Sequence, residues 1–457
     1  MKFSLKVLIW VYLVLLLIEG ALRKWVAPAL SDPLLVVRDP VVLAIYALAI
    51  ASRIFPTNRF IVVIAALAGL STVASLLGGH DHLLVLAYGL RINYLHLPLI
   101  WIMGRVLDRR DVERIGAFLL VAAIPMTLTM VAQFRAPMDA VINRGVGQDE
   151  VGQIFGADGR IRPPGLFSFI TGPQLFFPLC AAFFLDEIGG AKRLPWYLII
   201  LSGLAIALAL PVSISRTVML GTGFVGLAFV VALPFSSVRF PSLARPLLLL
   251  AFICAGLSQL PVFRESTSVF MVRWDTAASD EKAGSAWNSL VNRTVNGFTN
   301  PYYFIQMAPY LGHGIGTGSN VGARLTSGSV GFMLAEEEWG KVLLELGPVL
   351  GAGFILLRIV LTGWLGWQAW RALRQQHNTL PLLIFAATAQ PLLQGQWAPP
   401  TVLGFAVVGS GLLLGALRPA SVVAVGPAPR KSAAPGFAPV PAASDHRPPS
   451  VLRPVSK

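Results

Sequence analysis

Long apolar runs are the feature that most constrains how this chain can fold. Four of the clearest are residues 7–18, 60–77, 197–212 and 217–235. A helix of about 20 apolar residues crosses the bilayer core, about 30 Å thick, and satisfies its own backbone hydrogen bonds there. Only 13% of the 457 residues are charged, whereas soluble domains carry about 25%. The chain is therefore predicted to be an all-α polytopic membrane protein.

About twelve segments meet the criterion of about 20 apolar residues for a transmembrane helix. They are 3–22, 40–55, 60–78, 83–104, 113–134, 166–185, 195–212, 217–235, 246–262, 340–363, 379–394 and 399–417. The predicted transmembrane domain is 1–419, and it includes a large extracytoplasmic loop, 263–339, between helices 9 and 10. Residues 420–457 are rich in Pro, Ala and Ser without a helical period, which is typical of a disordered tail, here cytoplasmic.

Basic residues in the short connections predict the orientation. With the N-terminus in the cytoplasm, every inner connection carries Lys or Arg, as the positive-inside rule expects. An even number of spans then places the C-terminus in the cytoplasm too, and the connections 135–165 and 263–339 outside. Arg23, Lys24 and Arg38 do not fit this pattern, because they would lie outside.

Composition also limits the partners and cofactors. The net charge of +14 is explained by topology and by anionic lipid headgroups, so no nucleic acid is predicted as a partner. Cys180 and Cys254 lie in apolar runs and are interpreted as small hydrophobic residues. His80 and His82 form only a weak metal pattern, and neither a metal nor a cofactor is predicted.

Arginines on the predicted outer face are the first candidate site residues. Guanidinium groups bind phosphate oxygens two at a time, so Arg160, Arg162 and Arg216 are candidates for binding a phosphorylated lipid. Arg216 lies in the four-residue break 213–216, where the amides of a helix N-terminus also favour anions. Arg162 precedes Pro163 and Pro164, and Gly165 after them permits a tight turn.

Two further patterns could contribute to the same site. The glycine-rich run 312–318 could offer backbone amides to phosphate at Gly314 and Gly316, or it could be a flexible turn. Glu336, Glu337 and Glu338 precede an apolar helix, where acidic residues also suit the helix dipole. On a helix Glu336 would share a face with glycines 340 and 347, which predicts close packing against a neighbouring helix.

Taken in their order along the chain, the motifs resemble those of the O-antigen ligase and O-antigen polymerase superfamily of bacterial envelope enzymes. Arg162, Gly165 and Phe167 match its R-x-x-G-x-F motif, residues 213–216 match S-x-S-R, and residues 312–318 match its G-x-G-x-G turn. Glu345 and Gly347 match the end of its H-N-x-Y-L-x-x-L-x-E-x-G helix start. Glu336 and Glu337 stand at the histidine and asparagine positions of that motif.

The resemblance implies a metal-independent glycosyltransferase of the bacterial inner membrane. Its donor would be a glycan on a polyprenyl diphosphate, and its acceptor a sugar hydroxyl on a glycan or a lipid. Glu336, Glu337 and Glu338 would orient or deprotonate the acceptor. The diphosphate would be bound by Arg160, Arg162, Arg216, Gly314 and Gly316.

Because Glu336 stands where the family motif has histidine, three possibilities remain open. A glutamate replaces the family histidine as the base, His313 takes that role, or the activity is lost and the protein is a silent relative. A transporter or flippase for a lipid-linked or anionic solute is the alternative from another class. The motifs do not distinguish a ligase from a polymerase.

Overall fold

The computed structural model describes residues 2–79, 82–146, 156–191, 193–236, 248, 251, 255–280, 286–328, 334–335 and 337–419. Within these residues the chain is helical and contains no β-strand. Glu336, Cys254 and the predicted tail 420–457 lie outside the described residues, as does most of the first half of the predicted span 246–262.

The α-helices used below occur in chain order within this described part. They are α1 (Lys2–Ala21), α2 (Asp39–Ala51), α3 (Arg59–Leu77), α4 (Leu83–Leu90), α5 (Leu99–Val106), α6 (Arg109–Arg135), α7 (Thr171–Asp186), α8 (Trp196–Val212), α9 (Arg216–Ala232), α10 (Pro261–Asp280), α11 (Ala286–Met307), α12 (Asn320–Ser327), α13 (Glu338–Gln376), α14 (Leu380–Gln394) and α15 (Pro400–Ala416). Short π-helical turns, Leu22–Val26 and Arg91–Leu95, extend α1 and join α4 to α5.

Seven of the described helical segments are long and apolar enough to cross a membrane. They are Lys2–Val26, Pro28–Ala51, Arg59–Leu77, Leu83–Val106, Arg109–Arg135, Arg216–Phe235 and Glu338–Gln376. Helices α8, α14 and α15 are apolar but shorter. A helical membrane protein is thus confirmed, whereas the predicted number of about twelve spans is not.

The predicted loop 263–339 is largely helical where it is described. It contains most of α10, all of α11 and the short α12, and α11 packs along α13. The predicted break between α8 and α9 is confirmed, because the helices are separated at residues 213–215. The described chain therefore supports an ordered segment at 263–339, and its placement outside the membrane stays a prediction.

The centre of the bundle is built around α14, which packs against α7, α9, α13 and α15. Small residues permit this packing. A Cβ added at Gly409 of α15 would lie 1.9 Å from Cγ2 of Thr388 on α14. In lipid, apolar burial contributes little to the association of helices. Helices there associate through close backbone approach at small residues.

Basic residues gather at the end of the bundle where α1 and α6 begin. Lys6 pairs with Asp111 at 2.5 Å. Arg193 pairs with Glu113 at 3.1 Å, Asp186 at 2.8 Å and Glu187 at 3.4 Å. Burial raises the pKa of the Glu187 carboxyl above its usual value.

The three basic residues that did not fit the orientation are buried inside the bundle. Arg23 and Arg38 each lie 3.3 Å from the carboxylate of Glu19. Lys24 donates a hydrogen bond of 2.8 Å to the carbonyl of Gly165. The positive-inside rule concerns charges in loops, so these buried residues are not exceptions to it.

A continuous polar network connects these residues to α2 and to the π-helical turn after α4. Tyr12 accepts a hydrogen bond of 3.2 Å from Arg38, and its hydroxyl lies 3.0 Å from Nδ1 of His96. Arg91 interrupts an apolar segment, where a charge is expensive and is expected to pair inside the bundle. His96 and Arg91 both contact Asp39, which confirms this expectation. We call this set the N-terminal network; it comprises Tyr12, Glu19, Arg23, Arg38, Asp39, Arg91 and His96.

Candidate functional site

Helix α13 is broken near its start. Gly347 has a non-helical conformation (φ +78°, ψ 170°) and is followed by Pro348. Because proline has no N–H, a helix interrupted there leaves carbonyls of the preceding turn without their usual partners. The amide of His313 donates to the carbonyl of Leu344 at 2.8 Å, and that of Gly314 to Glu345 at 3.0 Å. The first part, residues 338–346, is therefore a separate half-helix capped by another segment.

That capping segment is the glycine-rich run 312–318. A Cβ added at Gly312 would lie 2.2 Å from the carbonyl oxygen of Glu345, and one at Gly316 would lie 2.5 Å from that of Val85. Both glycines have positive φ. The amide of Gly318 donates to the Glu345 carboxylate at 2.8 Å. Close packing explains these glycines, and the proposed contact of Gly314 and Gly316 with phosphate stays a prediction.

The half-helix carries a buried ionic network that sequence reasoning missed. Glu338 pairs with Lys341 at 2.7 Å and with Arg358 at 2.9 Å. Arg358 also donates to the carbonyl of Gly395 at 2.8 Å and lies 3.9 Å from the ring centre of Trp397. The available signal was that Lys341 and Arg358 interrupt an apolar run, where charges are expensive and usually paired. We call Glu338, Lys341, Glu345 and Arg358 the half-helix network.

A cavity of about 740 Å³ opens at the start of α13. Its wall includes the starts of α7, α9 and α13, the middle of α11 and the end of α14. Its polar lining residues are Thr171, Gln174, Thr217, Asn292, Asn296, Glu337, Glu338, Gln390, Gln394 and Gln396. Polar groups converging in a concave site of this size are typical of a ligand-binding pocket.

The three predicted catalytic glutamates differ in their surroundings. Glu336 lies outside the described residues. Glu337 caps α13, lines the cavity and accepts a hydrogen bond of 2.8 Å from Asn300. Among the ion pairs of the described residues none involves Glu337. Glu338 also lines the cavity, but its carboxylate is already held by two cations in the half-helix network.

The predicted break 213–216 lies beside this cavity. Arg216 is the first residue of α9 and is half-buried, and Thr217 after it lines the cavity. Gln174, another lining residue, donates to the hydroxyl of Ser215 at 3.2 Å. Ile214 is buried with φ +45°, an uncommon conformation for a β-branched residue. The fold therefore holds the start of α9 in a specific position at the cavity wall.

The arginine loop 156–162 packs against the same break. A Cβ added at Gly156 would lie 2.9 Å from the Ile214 side chain. Gly165 has φ +61°, which confirms the predicted tight turn. Arg160 pairs with Glu265 and donates to the carbonyl of Phe134 at 2.9 Å. Arg160 thus joins α6 to α10, and this structural role makes it a poor candidate for the diphosphate.

Two smaller predictions also have structural outcomes. Gly340 approaches α11 closely, because an added Cβ would lie 2.6 Å from the Phe304 ring; the predicted close contact on that face is confirmed. Cys180 is a buried free thiol, as expected of a small hydrophobic residue. Within the described residues, no group of three metal-ligating side chains occurs.

No protein-family model matches the chain, and a search of curated proteins returns no match. The family relation therefore stays a hypothesis that rests on the order of the motifs and on where the fold brings them.

Proposed function

We propose that the chain is a membrane glycosyltransferase of the O-antigen ligase or polymerase type. It would transfer a glycan from a polyprenyl diphosphate carrier to a sugar hydroxyl in the assembly of envelope polysaccharide. The observation that carries this proposal is that residues at or close after three motifs line one cavity. Thr171 lies four residues after the motif of Arg162, Thr217 directly follows Arg216, and Glu337 belongs to the acidic motif; all three line that cavity.

The proposed reaction is a direct displacement at the anomeric carbon. The acceptor hydroxyl oxygen forms the new glycosidic bond while its proton passes to a carboxylate. The bond between the anomeric carbon and the phosphate oxygen breaks, and the polyprenyl diphosphate leaves with the electron pair. Arg216 and Arg162 would stabilise the charge that develops on this leaving group. One displacement inverts the configuration of the anomeric centre.

Glu337 is the best-placed described carboxylate for accepting the proton. Its only hydrogen-bond partner among the described side chains is Asn300, and its position at the cavity wall gives access to an acceptor. Glu338 is a weaker base candidate, because its carboxylate is already engaged in ion pairs with Lys341 and Arg358. His313 caps the C-terminal end of the half-helix through its amide and is not among the described lining residues, and it stays an alternative base.

We further propose that the cavity faces outward from the cytoplasmic membrane and that both termini lie inside. Helix α6 supports this placement. Asp111 at its start pairs with Lys6 at the basic end, and Phe134 at its end accepts from Arg160. A rise of about 1.5 Å per residue separates these points by about 35 Å, enough to cross a bilayer core. An impermeant maleimide should label Tyr310→Cys in intact cells and Gln375→Cys only after permeabilisation, both in a Cys254→Ser background.

Arg216→Ala tests the enzymatic proposal. Loss of one preorganised group that stabilises leaving-group charge costs about 10²- to 10³-fold in rate, so glycan transfer by the purified protein should fall by about that much. Arg264→Ala is the matched control, because Arg264 is exposed on α10 and contacts its own chain locally. Transfer that is unchanged in Arg216→Ala removes this residue from the site. No transfer by the unaltered protein favours a silent relative.

One observation favours the transporter as a second candidate. Broken helices that carry charges inside the bundle are common at the substrate sites of transporters, and the half-helix of α13 has buried Lys341 and Glu345. A labelled lipid-linked glycan in proteoliposomes separates the two functions. Movement across the membrane without a new glycosidic bond supports transport, and bond formation supports the transferase.

A further inference from the structure

The cavity at the start of α13 has an unusual concentration of carboxamide side chains. Six line it, from four parts of the chain: Gln174, Asn292, Asn296, Gln390, Gln394 and Gln396. Each carboxamide can donate two hydrogen bonds and accept two. A ligand that matches such a wall carries many groups that also donate and accept, and the hydroxyls of a sugar have this property.

One of these amides points to a missing ligand group. Nε2 of Gln394 is buried, and no described protein atom accepts its hydrogen bonds. Buried donors are normally satisfied, because leaving one unpaired costs its full desolvation. Gln394 lines the cavity, so an acceptor in the cavity would satisfy it.

The charge of the wall selects against anions. No Lys or Arg is among the described lining residues. Glu338 is neutralised by its two cationic partners, whereas no such partner of Glu337 occurs in the described ion pairs. The charged side chains of the described lining are therefore carboxylates alone, and such a wall disfavours phosphate or carboxylate groups.

We propose that the cavity binds the uncharged, polyhydroxylated acceptor glycan, and that the diphosphate of the donor stays outside it beside Arg216. This inference rests on the proposed function and divides its site into two parts. A volume of about 740 Å³ lies within the range of pockets that bind drug-sized ligands, which fits a short oligosaccharide. Trp339 adds an aromatic side chain to the wall against which the apolar face of a sugar can pack.

Calorimetry on the purified full chain in lipid nanodiscs tests this inference with three probes of equal length. They are the trimer of N-acetylglucosamine, which is neutral, the trimer of glucosamine, which is cationic, and the trimer of galacturonic acid, which is anionic. The neutral trimer should bind at least about tenfold more tightly than the anionic one, and saturable binding of the cationic trimer alone overturns the proposal. Equal or tighter binding of the anionic trimer, or no saturable binding of any trimer, overturns the proposal.

Gly297 offers a matched pair of variants that fill the cavity to different extents. A Cβ there would lie 3.6 Å from the Gln394 carboxamide, an ordinary contact. Gly297→Ala should therefore keep binding within about twofold, whereas Gly297→Leu should weaken the neutral trimer at least about tenfold. Gln394→Leu, which removes an unpaired buried donor at similar size, should weaken binding by about tenfold without loss of folding. Unchanged binding in both Leu variants contradicts the proposal.

Glycan transfer, measured in parallel, separates this inference from the proposed function. Trimer binding that responds to Gly297→Leu, in a protein without transfer activity, supports the cavity proposal while the transferase proposal fails. Transfer that depends on Arg216 but is unaffected by Gly297→Leu and Gln394→Leu supports the transferase and overturns the acceptor cavity.

Discussion

The N-terminal network and the half-helix network are both clusters of buried charges, but of the two only the half-helix network contributes a described residue, Glu338, to the lining of the cavity at the start of α13. In the N-terminal network, Glu19 and Asp39 are surrounded by arginines, a tyrosine and a histidine from α1, α2 and the turn after α4. In the half-helix network, Glu338 has two cationic partners on one side and the cavity on the other. Burial of charge alone therefore does not mark a reactive site; access for a ligand does.

The two networks also differ in the backbone beneath them. The members of the N-terminal network lie in helices, in π-helical turns or in the turns that adjoin them, whereas the half-helix network lies beside the break at Gly347. The break allows α13 to begin inside the bundle, and it directs the N-terminal end of the half-helix to the cavity. Acidic residues at that end interact favourably with the helix dipole.

Glu337→Gln should have the largest effect. It tests whether the Glu337 carboxylate at the cavity wall takes part in the proposed transfer reaction. General bases contribute about 10²- to 10⁴-fold to rate, so glycan transfer per folded molecule should fall by about that factor. The melting temperature should be unchanged, because the amide oxygen can still accept from Asn300. Activity within twofold of the unaltered protein would move the base to Glu336 or His313.

Glu338→Ala and Glu19→Ala compare the two networks directly. Each leaves buried cations without their carboxylate, and removing one partner of a buried ion pair costs about 3–5 kcal/mol. Both variants should unfold at clearly lower temperature in detergent. Folded molecules of Glu19→Ala should keep normal transfer, because Glu19 is not among the residues that line the cavity. Selective loss of transfer in Glu19→Ala would give the N-terminal network a direct role in activity.

Gly347→Ala and Gly353→Ala lie on the same helix and should have opposite, smaller effects. Gly347 adopts a conformation that is essentially restricted to glycine, so alanine costs about 1–3 kcal/mol. Its Cβ would also lie 2.3 Å from the carbonyl oxygen of Tyr310. At Gly353 a Cβ would meet only Leu67, at an ordinary 3.5 Å, and helix propensity should stabilise the variant by about 0.5–1 kcal/mol. Equal melting temperatures would argue against the break.

Several features could be predicted because they depend on residues close together in the chain. Apolar runs predicted the membrane helices, and Gly165 predicted a tight turn that the structure confirms. The break at 213–216 followed from a short polar interruption between two apolar runs. Arg91 was expected to pair because an isolated charge in an apolar environment is expensive, but its partner Asp39 lies 52 residues away and was not identified.

Hydrophobic length and turn chemistry are local properties, so they suffice to identify an α-helical membrane protein and to locate several of its helix interruptions. Which charges meet, and where a cavity opens, depends on how the helices pack. Glu338 contacts Arg358 across a helix break, and carboxamides from α7, α11 and α14 line one cavity. These contacts arise from packing between segments that are distant in sequence, and no local pattern specifies that packing.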